Sequence, residues 1–318
     1  MIPIGGVPGI ARAVFALLPI ATVSSDAVRS TRCSASRCVR ARCRSDDRRN
    51  TSDIIDTRSP YDAAMAIGHR HVGVIGAMAE EVERLHQHLD AETLTEDAGR
   101  VYRHGVLASQ RVTVVQSRIG KVAAALTAAS LIRDHQVDAI VFTGIAGALH
   151  DDLGIGDVVV ASELVQHDLA GPPEMFARGE IPFLGVVELD TDPTLRAAAV
   201  AAATEFVSHG LTSTVLAEQL DDLGIGRPSI HVGQVATGDE FIEGELKDIV
   251  RRRTPNACCV DMEGAAVAQV CHELGGVPLC VIRAISDLSS GTASVDFPRF
   301  LDQLASHYSY EILRRMFA

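Results

Sequence analysis

From about residue 71 onward, short apolar runs alternate with longer amphipathic stretches. Residues 71–75 read as a strand, and 78–89 place Val82, Leu85 and Leu89 on one helical face. Residues 111–116 predict a second strand, 117–120 a turn and 121–134 an Ala/Leu-rich helix. A buried strand at 138–142 is expected to end in a glycine-rich turn, Thr143-Gly144-Ile145-Ala146-Gly147. Another strand follows at 157–164, then a Pro/Gly-rich loop at 168–185. A helix at 193–207 precedes a loop-like stretch at 219–228, a strand at 229–236 and a helix at 243–252. The strand at 257–260, helix at 262–274 and strand at 278–285 imply a right-handed parallel crossover. A closing helix at 297–317 carries Phe300, Leu301, Leu304, Tyr308, Ile312 and Met316 roughly on one face. Strands alternating with helices and no linker between them predict one α/β domain.

Residues 1–65 break this rhythm and are expected to be a disordered or non-native extension, leaving a domain at 66–318. A short apolar run at 13–23 contains Pro19, and Arg/Ser-rich text follows from Arg29 to Arg49. No run reaches the ~20 apolar residues of a spanning helix. The segment mimics a targeting peptide but lacks a clear cleavage pattern. Met65, just upstream of the first strand, is where a compact enzyme would begin, and no strand is expected before His71.

Charge sharpens the division. The chain carries a net −12, yet residues 1–70 hold 11 Arg against 6 Asp. The body is therefore strongly acidic, which speaks against nucleic acid and anionic membranes as partners. Lys121 and Lys247 are the only two lysines. Aromatics make up 4% of the chain and Trp is absent, so small aliphatics must fill the core. Cys258, Cys259, Cys271 and Cys280 lie in apolar runs and read as buried thiols. Cys33, Cys38 and Cys43 sit among arginines at a spacing no standard zinc site uses, so no metal site is expected there.

Four short signals place carboxylates at strand ends or in first helical turns. They are Gly76-Ala77-Met78-Ala79-Glu80-Glu81, Thr237-Gly238-Asp239-Glu240-Phe241-Ile242, Val260-Asp261-Met262-Glu263-Gly264-Ala265 and Arg283-Ala284-Ile285-Ser286-Asp287. Open α/β sheets bind ligands at such places. Gly73 and Gly76 invite a dinucleotide-fold reading, but they are three residues apart, and two glutamates in the next turn would repel a pyrophosphate. Taken singly, Glu81 reads equally as a residue complementing the helix dipole. Asp287 reads equally as an N-cap, and Phe241-Ile242 as an apolar pair under the sheet.

Together and in this order, the four signals resemble the nucleoside phosphorylase superfamily. Within it they are most similar to the nucleosidases of 5′-methylthioadenosine and S-adenosylhomocysteine, over about residues 72–300. The resemblance implies a single-domain, three-layer α/β fold with a central twisted mixed sheet flanked by helices. It implies hydrolysis of the N-glycosidic bond of either thio-nucleoside, releasing adenine, in a cytoplasmic homodimer that needs no cofactor. It further implies that Glu81 activates water and that Asp287 protonates purine N7. Glu263 then holds the ribose diol, Met262 packs on the sugar, and Phe241 stacks on adenine while Ile242 reads its edge. Met78, Ile119, Arg283, Ser286 and Phe297 complete the expected substrate site, Phe297 walling the 5′ pocket. Ile145, Arg118, Asp261 and the loop after His167-Asp168 depart from the family pattern and bear on the water site and the 5′ pocket.

Rival readings are another hydrolase of this fold, such as a futalosine hydrolase or adenosine nucleosidase, a phosphate-dependent phosphorylase, and a binding protein without catalysis. The composition break carries its own expectation. A protein lacking residues 1–64 should fold and keep its activity; a truncated protein that is insoluble or inert would assign that segment to the domain.

Overall fold

The computed structural model describes residues 39–40, 68–211, 217–288 and 293–318. The expectations for Cys33, Cys38, Cys43 and most of residues 1–65 lie outside them. Among the described residues, eleven strands form one mixed sheet. Its backbone is β2 (Val72–Gly76), β5 (Gln110–Gln116), β6 (Ala139–Ala148) and β11 (Leu279–Asp287). β2 pairs in parallel with β5 and β6, and β11 pairs in parallel with β6. All of β2 and β11 are buried, which explains the apolar runs of Val72–Gly76 and of 279–282.

β6 departs from the expected turn at Thr143. It runs ten residues, straight through Gly144 and Gly147. Its first half lies against β2, while Gly147 and Ala148 pair antiparallel with β10 (Ala257–Asp261). β10 joins β9 (Ile230–Thr237), β9 joins β7 (Val158–Gln166), and β7 joins β11. β11 returns to β6, so five strands close into a ring. This corrects the expected parallel crossover. β10 runs antiparallel to β6 and β11 runs parallel to it, so the two strands oppose each other across β6.

Helices cover both faces. α1 (Ala79–Gln87), α3 (Pro193–Glu205) and α8 (Ser306–Met316) share one core with Val82, Leu85, Leu195 and Ile312. α2 (Lys121–Arg133) and α6 (Gly264–Glu273) share the other through Leu131, Ala265 and Val267. The expected loop at 219–228 begins instead as a short helix, α4 (Ala217–Asp222), whose Leu220 enters the first core. α5 (Glu245–Arg253) and α7 (Ala293–Phe300) flank the ring, and a π-helical segment, Leu301–Ala305, links α7 to α8.

Four strands fall where no element was expected. β3 (Asp90–Asp97) is exposed at every residue, so it shows no apolar alternation. It pairs with β4 (Arg100–Leu107) across Ala98-Gly99, both at positive φ as a two-residue hairpin of matching twist requires. β8 (Leu189–Asp190) pairs with β7. β1 (Val39–Arg40) lies against β9 and corrects the expectation that no strand precedes His71.

A buried histidine marks the start of β2. His71 Nε2 lies 2.7 Å from Thr113 Oγ1. Burial pushes its imidazole down to about 4, with Arg111 and His104 adding to the effect. The unfolded chain takes up a proton near pH 6.5 and the folded one does not until about pH 4. Stability from this group is therefore complete above pH 6.5 and drains between 6.5 and 4. Urea unfolding at pH 7 and pH 4.5 should show a smaller loss for His71→Gln than for the parent; equal losses would clear His71 of the effect.

Candidate active site

The sheet brings the ends of β2, β9, β10 and β11 to one cleft of about 600 Å3, open space at its mouth included. Met78, Glu81, Ile119, Phe241, Ile242, Met262, Glu263, Ser286, Asp287 and Phe297 all line it. No Lys, Arg or His does so among the described residues.

Glu81 stands in the first turn of α1, beside the exposed Glu80, but its carboxylate turns inward and is 2% exposed. Oε2 accepts the N–H groups of Ala77 at 2.6 Å and Met78 at 2.9 Å. Oε1 accepts the N–H of Ile145 from β6 at 3.0 Å. The contact is close because Gly144 has no side chain; a Cβ there would lie 2.6 Å from Oε1. Burial raises the Glu81 carboxyl above its ordinary value, while the three amides and Arg283 pull the other way. Ile145, a departure from the family pattern, thus holds Glu81 through its backbone N–H, which any residue but proline supplies.

Asp287 reaches the same cleft from the end of β11. The register with β6 slips between Ile285 and Asp287, a bulge that re-aims the last side chain. Ser286 Oγ donates to Asp287 Oδ1 at 2.9 Å. Lys247 Nζ donates to Oδ2 at 2.6 Å and also to the Leu288 carbonyl. Gly147 leaves room for this carboxylate, since a Cβ would stand 2.9 Å from Oδ2.

Glu263 closes the floor just ahead of α6, accepting the Gly120 N–H at 2.9 Å. Burial first, then the neighbouring Asp261, pushes its carboxyl up to about 8. Asp261 is committed elsewhere. Its Oδ1 accepts the Thr237 hydroxyl at 2.6 Å, and its Oδ2 accepts Arg283 Nε at 2.9 Å. Arg283, expected in the substrate site, is therefore absent from the cleft wall. Its guanidinium lies beneath, 4.2 Å from the Phe142 ring centre, and donates to the Phe142 and Ile282 carbonyls. Its Nε and Nη1 donors are taken by the Asp261 carboxylate and the two carbonyls below the cleft, and Nη2 lies 2.8 Å from Asp261 Oδ2 as an ion pair.

The mouth is apolar. Phe241 and Phe297 meet edge to face at 5.3 Å, with Phe241 43% exposed. Loops carrying Ile119 and Phe241 are laced together below the rim. Lys121 Nζ meets Asp168 Oδ1 at 2.7 Å, Asp168 Oδ2 accepts the Asp239 N–H at 3.0 Å, and Asp239 Oδ1 accepts the Lys121 N–H at 2.8 Å. Burial opposes the charge on Asp168, yet Lys121 and the Asp239 amide hold its carboxyl below the ordinary range. Arg118 sits at φ +73°, a left-handed backbone suited to the family's glycine, with its guanidinium on the Gly99 carbonyl at 2.6 Å.

Sequence reasoning missed Lys247 as part of this site. Its signal was present. Lys247 and Val250 share the buried stripe of α5, so a lysine occupies a position where the helical period expects an apolar residue.

A family model described as the phosphorylase superfamily matches residues 71–318. The 5′-methylthioadenosine/S-adenosylhomocysteine nucleosidase of Chromohalobacter salexigens is 36% identical over 239 residues, 75% of this chain and 93% of that protein. The nucleosidase of the same name from Colwellia psychrerythraea, solved with adenine, is 33% identical with a TM-score of 0.66, covering 78% of this chain and 95% of that one. A futalosine hydrolase from Helicobacter pylori is 33% identical with a TM-score of 0.64, covering 78% and 97%.

The three cleft carboxylates generate one prediction. Asp287→Asn and Glu81→Gln should each lower turnover on methylthioadenosine by ~10²-fold or more, the scale of a lost general acid or base. Glu263→Gln should raise KM as well as lower kcat. All three should fold, as circular dichroism would show. Near-parental turnover in all three would place the chemistry elsewhere.

Proposed function

The chain belongs to the phosphorylase superfamily, and we propose that its cleft hydrolyses the N-glycosidic bond of 5′-methylthioadenosine, S-adenosylhomocysteine or both, releasing adenine. The observation that carries this reading is Glu81. A phosphorylase must hold a phosphate dianion with cationic or amide donors. Here the amides of Ala77, Met78 and Ile145 are already taken by a carboxylate, and the cleft wall adds Glu240, Asp261, Glu263 and Asp287 without a cation. Such a wall repels phosphate and accepts neutral water.

In this reading each carboxylate has one task. As the bond from C1′ to N9 lengthens, negative charge gathers on the purine and positive charge on the ribosyl ring. Asp287 delivers a proton to N7, so the base leaves neutral. Glu263 faces the ribose hydroxyls, where its ionised form stabilises the developing cation. Glu81 takes a proton from water as its oxygen bonds to C1′. Met262 and Met78 pack on the sugar, and Phe241 and Phe297 enclose the base and the 5′-substituent.

The proposal extends to a homodimer working in the cytoplasm, in methionine salvage. Val122 and Leu126 stand exposed on α2, 82% and 48% respectively, as apolar surface for a second copy. Cys271 and Cys280 are free thiols buried in the core, which suits a reducing compartment. No described helix is long and apolar enough to cross a membrane.

The likeness to a futalosine hydrolase favours a second reading in which the 5′-substituent is larger. A panel of methylthioadenosine, S-adenosylhomocysteine, adenosine and futalosine separates the two readings by relative kcat/KM. Adenine release should proceed in phosphate-free buffer and give free methylthioribose. Strict dependence on phosphate, with a sugar 1-phosphate as product, would overturn the hydrolase assignment. Binding without turnover would favour a storage protein.

A further inference from the structure

Lys247 is fully buried, and it reaches Asp287 from outside the cleft wall. α5 is otherwise a highly charged helix, with Arg251, Arg252 and Arg253 in its last turn. Only this one of the chain's two lysines is turned inward as deeply as the strand ends. Burying an ammonium is costly, and a structural anchor is met more cheaply by an apolar side chain. The ammonium donates to Asp287 Oδ2 at 2.6 Å and to the Leu288 carbonyl, both at the tip of β11. The other oxygen of Asp287 accepts from Ser286.

These contacts are those of an ammonium with a carboxylate. They pose a question for the hydrolase reading, on which this inference rests. A general acid must carry a proton, yet both oxygens of Asp287 are already receiving hydrogen bonds from donors. We infer that Lys247 is a positioning residue for the leaving-group proton, holding the proton in the resting site and releasing it through Asp287 to the departing purine. As the C1′–N9 bond breaks, its electron pair moves onto the purine. Lys247 gives its proton to the Asp287 carboxylate, which passes one on to N7, so Asp287 ends ionised again and Lys247 is left as a neutral amine. Water supplies oxygen to C1′ and its proton to Glu81. The cycle closes when Glu81 loses that proton to solvent and Lys247 regains one.

A lysine suits this task and an arginine does not. Both pair with a carboxylate, but a guanidinium does not give up its proton in a protein. The test therefore uses Lys247→Met, Lys247→Arg, Asp287→Asn and the double variant Lys247→Met/Asp287→Asn of the full chain. Two substrates are compared: methylthioadenosine, and a 4-nitrophenyl riboside bearing the same 5′-methylthio group, whose leaving group departs without a proton. On methylthioadenosine, Lys247→Met and Lys247→Arg should each lose kcat by ~10²-fold with little change in KM, and the double variant should lose no more than either single one, as for residues acting in one step. On the nitrophenyl riboside the Lys247→Met and Lys247→Arg variants should stay within about threefold of the parent.

Equal losses on both substrates would show that Lys247 only shapes the site, and would overturn the inference. So would a Lys247→Arg enzyme with near-parental turnover, because a fixed charge would then suffice. If Lys247→Met is insoluble, the Lys247→Arg comparison decides alone. A parent enzyme inert on methylthioadenosine yet active on the nitrophenyl riboside would overturn the adenine-releasing reading, and the relay with it.

Discussion

Like charges gathered in a buried place are the constraint on which this structure turns. Glu81, Asp261, Glu263 and Asp287 lie within one cleft, each 6% exposed or less. Such groups repel one another and lose hydration, so every one of them needs a compensating partner. The chain supplies three kinds. Backbone amides hold Glu81, Arg283 holds Asp261, and Lys247 holds Asp287. Glu263 accepts one amide, that of Gly120, and burial with the neighbouring Asp261 pushes its carboxyl up to about 8. Its charge is costly when the cleft is empty. A ribosyl cation above it would reverse that balance, which couples the ionised form of Glu263 to the reaction rather than to the resting fold.

The cations are placed with equal economy. Both lie outside the cleft wall, where they offset negative charge without offering phosphate a seat. The distinction between hydrolase and phosphorylase is thus read in where positive charge is kept, as much as in which residues are present.

Much of this was legible in the sequence, for reasons that differ by element. β2 and β11 are buried on both sides, so their apolar runs announce them. Four motifs, each at a strand end or first helical turn, carried eight expected residues to one cleft, with Ile119 and Phe297 joining from outside them. β3 escaped notice because an exposed edge strand has no apolar rhythm to detect. The closure of β6 on β10 escaped because glycines normally read as turns, whereas Gly144 and Gly147 sit in a continuous strand. Arg283 was drawn into the substrate site by its motif, although its carboxylate partner, Asp261, lies on a different strand. The pairing of Lys247 with Asp287 spans 40 residues, and no local pattern encodes such a distance.

Gly144 and Gly147 also change how tolerance to variation should be distributed over this enzyme. Neither has a side chain, and neither takes part in chemistry. Yet a methyl group at the first would collide with Glu81 and one at the second with Asp287. What these positions transmit is empty space. In a library of random variants, they would register as intolerant as the carboxylates they face, and an inventory of functional groups alone would have no means of accounting for them.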